Sequence, residues 1–108
     1  MTIKEIKNDL KEIRYYYALV ESLKLGSKLI PPQHITEKVE RYNEIIKKAP
    51  VQFYALYVGL YVSNNTQSEL AEKWKVGKDF IKKLNVKLCH YLENEFKKTR
   101  KQGGINNA

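Results

Sequence analysis

The chain of 108 residues has the length of one ordinary domain. Lysine and arginine number 20 against 12 aspartate and glutamate, which gives a formal net charge of +8, and hydrophobic residues make up 43%. This composition argues against disorder along the whole chain. A single cysteine excludes an internal disulfide framework, and no apolar run reaches the roughly 18 residues of a membrane span. We expect a soluble, cytoplasmic, basic domain without a signal peptide, whose charge suits an anionic partner.

The first segment has the pattern of a helix over residues 2–24. Thr2 and Glu5 have the spacing of a capping box, in which each side chain bonds to the backbone N–H of the other residue. The apolar positions then recur at steps of three and four, which makes a stripe narrow enough for one partner helix. These positions are Ile3, Ile6, Leu10, Ile13, Tyr17 and Val20. Gly26 and the double proline at 31–32 predict the end of this helix and a rigid connector.

A second stripe predicts a helix that is capped by Thr36 and ends near Ala49. Its apolar positions are Ile35, Val39, Tyr42, Ile46 and Ala49. Because short connections favour neighbours in space, the two stripes predict an antiparallel helical hairpin over residues 1–49. The alternative is a pairing of the same stripes between two chains, as a homodimer.

The uncharged run 51–62 predicts a buried central helix. Pro50 suits the first position of a helix, and the run is apolar nearly all round. Because valine, tyrosine and phenylalanine also favour strands, a fully buried strand is the alternative. The tyrosines assigned to the core here are Tyr54, Tyr57 and Tyr61. Residues 63–65 have the composition of a turn.

The next segment has the outline of a helix-turn-helix: a short helix, a turn and a longer helix. Thr66 and Glu69 repeat the capping-box spacing, the short helix runs to about Trp74, and residues 75–77 break it. The longer helix covers about residues 78–96. The sequence thus predicts an all-α single domain, in which the hairpin is followed by a tri-helical helix-turn-helix. Its subregions are the hairpin at 1–49, the helix-turn-helix at 50–96 and a flexible basic tail at 97–108.

Lysines gather on the outward face of the longer helix. Six lysines between positions 73 and 87 have only Asp79 as a counter-charge. The inward positions of the motif are Leu70, Ala71, Val76, Ile81 and Leu84. The outward positions are Lys78, Asp79, Lys82, Lys83 and Val86. A recognition helix places this face in the major groove, so we predict double-stranded DNA as the partner.

The outward residues have different expected roles. Lys78 and Lys82, four positions apart, can reach base edges, where lysine donates to O6 and N7 of guanine. Asp79 can accept from the amino group of cytosine, or orient a neighbouring lysine. Phosphate contacts position a protein without reading sequence. The residues expected to make them are Gln67, Ser68, Lys75 and Lys83, while Lys87 lies farther along the helix and is a weaker candidate for DNA binding.

Part of this pattern resembles region 4 of bacterial sigma factors over about residues 49–95. The residues that carry the resemblance are Ala49-Pro50, Leu56-Tyr57, Tyr61, Thr66 to Ala71, Val76, Ile81 and Leu84. The chain is also similar to the small ArpU-like phage late-gene regulators of Gram-positive bacteria, through residues 7–17. These resemblances imply a promoter-binding transcriptional regulator in a bacterial host cell, with RNA polymerase or another host protein as a further partner. By position they map Lys78, Asp79, Lys82 and Lys83 onto the recognition helix.

The turn departs from the sigma region 4 pattern at two positions. Lys75 stands where the family usually has glycine, and a non-glycine residue in a left-handed conformation costs about 1 kcal/mol. Gly77 stands where serine or threonine usually opens the recognition helix, and glycine is a weaker cap. Both departures bear on which lysine reaches which base.

Catalytic and metal chemistry find little support in the sequence. His34 is isolated, and Cys89 and His90 diverge by about 100° on a helix. No spacing of metal ligands occurs, so we expect no enzyme, no cofactor and no metal. Two alternatives to a regulator reuse the same fold. One is a phage-encoded factor that inhibits a host enzyme or defence complex, and the other is a DNA-packaging recognition subunit.

Overall fold

The computed structural model describes residues 1–26, 28 and 30–106, with side chains as far as residue 98. Over these residues the fold is all-helical, and no helix combines the length and apolar character needed to cross a membrane. The elements are α1 (Ile3–Lys24), α2 (Gln33–Ile46), α3 (Val51–Tyr57), a π-helical turn (Val58–Val62), α4 (Gln67–Trp74) and α5 (Lys78–Asn106).

The predicted capping box at the start of α1 is confirmed. The Glu5 N–H donates to the Thr2 hydroxyl at 3.2 Å, and the Thr2 N–H donates to Oε1 of Glu5 at 3.4 Å. Ile6, Leu10 and Ile13 are 0%, 1% and 0% exposed. These three side chains of the stripe are therefore packed inside the fold of one chain.

Thr36 is not the cap of α2, and this prediction is wrong. The helix begins at Gln33, with Pro32 at the N-cap. The Pro32 carbonyl already accepts from the N–H groups of Ile35 and Thr36 at 3.1 and 3.2 Å. The threonine hydroxyl therefore lies inside the first turn, where it donates back to the same carbonyl at 3.4 Å. At its other end α2 stops at Ile46, short of the predicted Ala49.

Polar contacts join α2 to α1. The Tyr42 hydroxyl donates to Oδ2 of Asp9 at 2.7 Å, and Lys38 Nζ lies 2.8 Å from Oδ1 of the same carboxylate. Farther along both helices, Asn43 Nδ2 donates to the Tyr17 hydroxyl at 3.1 Å. In an antiparallel pair, a contact farther along one helix lies nearer to the start of the other. Here Tyr17 and Asn43 both lie farther along their helices than Asp9 and Tyr42, so these contacts do not confirm the antiparallel hairpin, which stays a prediction.

The apolar run 51–62 is helical, and the strand alternative is wrong. It continues from α3 into the π-helical turn, where the Ser63 N–H donates to the Val58 carbonyl at 2.8 Å. Gly59 lies in this turn, and a Cβ atom on Gly59 would stand 2.7 Å from Cδ1 of Leu70. The missing side chain therefore lets α4 pack closely on the central helix.

The three tyrosines of the central run differ in burial. Tyr57 is 1% exposed and Tyr61 packs against the core, but Tyr54 is 47% exposed, so its assignment to the core is wrong. Because this run contains no charged residue to mark the side that faces solvent, the spacing of its apolar residues could not identify Tyr54 as exposed. The Tyr57 and Tyr61 hydroxyls donate to Oδ1 of Asn43 and Oδ1 of Asn85 at 3.0 and 2.7 Å. Burial raises the pKa of both, to about 12 for Tyr61.

The last helix is longer than predicted. Its backbone continues past Phe96 to Asn106, through Gly103 and Gly104. The Phe96 ring packs against Tyr42 with 4.9 Å between the ring centres. The side chains of Arg100 and Lys101, which belong to the predicted basic tail, lie outside the described residues.

Candidate nucleic-acid interface

The start of α4 is held by the second predicted capping box. The Glu69 N–H donates to the Thr66 hydroxyl at 3.1 Å, and the Thr66 N–H donates to Oε1 of Glu69 at 3.0 Å. The hydrogen bond that the Thr66 N–H donates to the Glu69 carboxylate lowers the pKa of that carboxyl. Leu70 and the small Ala71 are 3% and 5% exposed, which confirms both as inward positions.

The turn after α4 closes without a glycine. Lys75 has φ 58° and ψ 44°, which is the left-handed conformation expected at its position. Its N–H donates to the Glu72 carbonyl at 3.2 Å, and the Val76 N–H donates to the Ala71 carbonyl at 3.0 Å. This pair of bonds is a Schellman motif, and the Val76 side chain packs against the core beneath it. The turn therefore fixes where α5 begins relative to α4.

Gly77 provides a cap for α5 through its backbone alone. Its carbonyl accepts from the N–H groups of Phe80 and Ile81 at 3.1 and 3.4 Å. A Cβ atom on Gly77 would meet nothing within 4 Å. Glycine is thus not required by space at the position where serine or threonine was expected.

The outer face of α5 is exposed and basic. Ile81 and Leu84 are 0% and 5% exposed and face the core, as predicted. The residues of the candidate site that are exposed on α5 are Lys78, Asp79, Lys82, Lys83 and Lys87. The turn adds the exposed Lys75. At about 100° per residue, Asp79 and Lys83 lie nearly opposite the buried stripe, and Lys82 lies at about a right angle to it.

Neighbouring side chains leave these lysines free. Among side chains as far as residue 98, no salt bridge or side-chain hydrogen bond involves Lys75, Lys78, Lys82, Lys83 or Lys87. Lys38 is different, since its Nζ lies between the carboxylates of Asp9 and Glu12 at 2.8 and 2.9 Å. The charge on the outer face of α5 is therefore available to an external anion.

Lys73 is also exposed, but it does not belong with these unpaired lysines, although the sequence groups it with them. Its Nζ donates to Oδ1 of Asn65 at 2.8 Å, and Asn65 Nδ2 donates to the Gly59 carbonyl at 2.9 Å. Lys73 thus stabilises the turn before α4. The two remaining site residues, Gln67 and Ser68, lie in the first turn of α4, half-buried and exposed respectively.

Sequence reasoning missed the contact of Arg14. Its Nε donates to Oδ1 of Asn64 at 3.0 Å, and its Nη2 donates to the Asn64 carbonyl at 3.2 Å. Asn64 has a left-handed φ of 60°. The guanidinium therefore ties α1 to the turn before α4, across fifty residues of sequence. No pattern within a short stretch of sequence predicts a contact between residues so far apart in the chain.

Two exposed apolar side chains on α5 were also outside the predicted site. Phe80 and Val86 are 45% and 46% exposed. The signal was available for Val86, since its spacing from Lys82 and Lys83 puts it on their face.

Among the described residues, no cluster of three or more histidine, cysteine, aspartate or glutamate side chains could hold a metal ion.

Comparison of the chain with protein-family models, with curated proteins and with solved structures finds no match. The resemblance to sigma region 4 and to ArpU-like regulators therefore stays a prediction, and function has to be argued from the geometry of α4 and α5.

Proposed function

We propose that the chain is a sequence-specific, double-stranded-DNA-binding transcriptional regulator of the phage type, in which α4 and α5 form a helix-turn-helix. The observation that carries this proposal is the set of exposed lysines along the solvent side of α5, none of which is paired within the described side chains. Because these lysines are unpaired, no ion pair within the protein has to break before they bind a phosphate or a base.

The dimensions of α5 suit a major groove. A helix with its side chains is about 10–12 Å across, and the groove of B-DNA is about 12 Å wide. With the outer face in the groove, Lys78 and Lys82 reach base edges and Asp79 accepts from cytosine. The residues placed on phosphates are Gln67, Ser68, Lys75, Lys83 and Lys87.

The regulatory part of the proposal depends on the sequence resemblance. The resemblance assigns the chain to promoters in the cytoplasm of a bacterial host. In this proposal, α1 and α2 form the surface that contacts RNA polymerase or another host protein. The exposed basic face of α5 supports DNA binding, and it is equally compatible with the DNA-packaging alternative. The DNA sequence that the protein selects separates those two roles.

The test begins with selection of bound duplexes from a random-sequence library, followed by fluorescence anisotropy with the selected duplex. Replacing Lys78, Lys82 and Lys83 by alanine is expected to weaken binding at least about tenfold, while circular dichroism stays helical. The matched control replaces three exposed lysines outside the motif, Lys4, Lys11 and Lys48, and removes the same charge. It should lose much less affinity.

Salt dependence gives a second measurement on the same duplex. The logarithm of the binding constant should fall with the logarithm of salt concentration by about 0.9 for each phosphate neutralised, and Lys83→Ala should reduce this slope by about one phosphate. Equal losses in the two triple variants, or a flat salt dependence, would argue against DNA and for a protein partner.

A further inference from the structure

An apolar side chain lies in the middle of the charged face of α5. Val86 follows Asp79 by seven residues, Lys82 by four and Lys83 by three, so all of them share the outward stripe. Val86 is 46% exposed and is not part of the hydrophobic core. The outer face therefore presents one branched aliphatic group among charged ones.

The stability of the fold does not explain valine at this position. A β-branched side chain loses rotamer freedom in a helix, so valine disfavours the helical state relative to alanine when no packing compensates. Val86 is half-exposed, and its exposed neighbours three or four positions away on α5 are Lys82, Lys83 and His90. What distinguishes Val86 from other exposed apolar side chains, such as Val51, is that it shares a helix face with Asp79, Lys82 and Lys83.

We propose that Val86 contacts the C5-methyl group of a thymine, so that the recognised DNA carries a thymine at a fixed distance from the bases read by Asp79 and Lys82. This inference rests on the proposed function. The thymine methyl is the apolar group on the base edges of the major groove, whereas the other groups there are hydrogen-bond donors and acceptors. Contact with it removes the exposed surface of both methyl-bearing groups from water.

The separation along the helix sets the spacing of the bases. Seven residues advance about 10 Å along an α-helix axis. When α5 follows the groove, that length corresponds to about three base steps of 3.4 Å. The thymine that Val86 contacts thus lies about three base pairs from the base read by Asp79.

The test replaces single thymines of the selected duplex by deoxyuridine, which lacks only the methyl group. At one position, this change should weaken binding of the unchanged protein about fourfold, the factor that corresponds to burial of one methyl group at about 0.8 kcal/mol. Val86→Ala should bind the thymine duplex more weakly by a similar factor and should no longer distinguish thymine from deoxyuridine at that position. Its melting temperature should be unchanged or higher, since alanine favours the helix.

The matched control is Val51→Ala, which removes a valine that is 84% exposed on α3 and should leave both affinities unchanged. Sequence-specific binding without any thymine whose methyl matters, or with equal sensitivity in Val86→Ala, would overturn the role of Val86 and leave the proposed function standing. Failure of the unchanged protein to select any duplex would overturn both.

Discussion

Lys75 combines a strained backbone with an exposed charge. Its left-handed φ of 58° closes the turn between α4 and α5, and its side chain extends into solvent. The resemblance to sigma region 4 predicted this conformation, because it places Lys75 at the turn position where that family usually has glycine. The two properties of Lys75 are separable by substitution.

Lys75→Gly should stabilise the protein by about 1 kcal/mol, because glycine has no steric penalty at positive φ. The melting temperature should rise by about 4 °C for a domain of this size. Lys75→Ala removes the same charge without relieving the backbone, so its melting temperature should not rise. Both variants should lose a similar part of the affinity for DNA. Identical melting temperatures for the two would show that Lys75 carries no such strain.

Other residues were beyond sequence reasoning for physical reasons. The bond of Arg14 to Asn64 depends on how two distant segments pack, and nothing within either segment encodes the partner. Tyr54 was misplaced because the run around it is apolar on every side. The exposed lysines of α5 were predicted correctly as outward positions, since the buried stripe beside them is regular.

At the scale of whole helices, helix starts were likewise predictable only where the signal is local. Both capping boxes mark true helix starts, because serine, threonine and glutamate side chains act on backbone groups three residues away. The start of α2 was predicted wrongly because the helix begins before Thr36, at the point where the Pro32 carbonyl accepts the first helical hydrogen bonds. The π-helical turn has no sequence signature of its own, and it was found only in the structure.

Close packing of α4 on the central helix depends on Gly59. Gly59→Ala should destabilise the protein by about 1–3 kcal/mol, because the added Cβ meets the buried Leu70 side chain at 2.7 Å. Urea unfolding followed by circular dichroism measures this change. The matched control is Gly77→Ala, whose Cβ meets nothing within 4 Å and should cost far less.

Combining Gly59→Ala with Leu70→Val tests the cause of the loss. The smaller valine should absorb part of the clash, so the double variant should be more stable than the sum of the single effects predicts. Simple additivity would mean that Leu70 is not the side chain that resists alanine at position 59.

At the scale of the whole molecule, stability falls in alkali because several groups have a raised pKa; burial raises the pKa of Cys89 and Tyr91, and four further groups act from about pH 10. Burial raises the pKa of Tyr42, Tyr57 and Tyr61. Burial alone would lower the pKa of Lys38, but its bonds to Asp9 and Glu12 outweigh that effect and raise it. All four groups therefore hold their protons in the folded chain after the unfolded chain has begun to release them near pH 10. Their contribution is complete below that pH and is lost as pH rises toward the folded pKa values.

The melting temperature should accordingly decline as pH rises from about 10, and the decline should continue to about 12 for Tyr61. Tyr61→Phe removes one of these groups and should flatten the profile, at the cost of the bond to Asn85. Tyr15→Phe is the control, because Tyr15 is 54% exposed. A profile for Tyr61→Phe that parallels the unchanged protein would contradict the role of Tyr61.

The all-helical class was predictable because periodicity, caps and breakers agree along most of the chain. The relative placement of α1 and α2 was not, since contacts such as Tyr42 with Asp9 arise from the crossing of two helices and have no local signal. The candidate site was accessible to sequence reasoning only because it lies on two consecutive helices that one short turn joins.

The π-helical turn at 58–62 absorbs one residue within the central helix. Its hydrogen bond from Ser63 to Val58 encloses one residue more than an α-helical turn does. Because this wider turn still completes about one rotation, the segments on either side keep nearly the angular phase of an uninterrupted helix. Deleting one residue here should therefore restore ordinary α-helix without redirecting the chain toward α4, whereas a deletion in the α-helical part of the run would rotate the exit by about 100°.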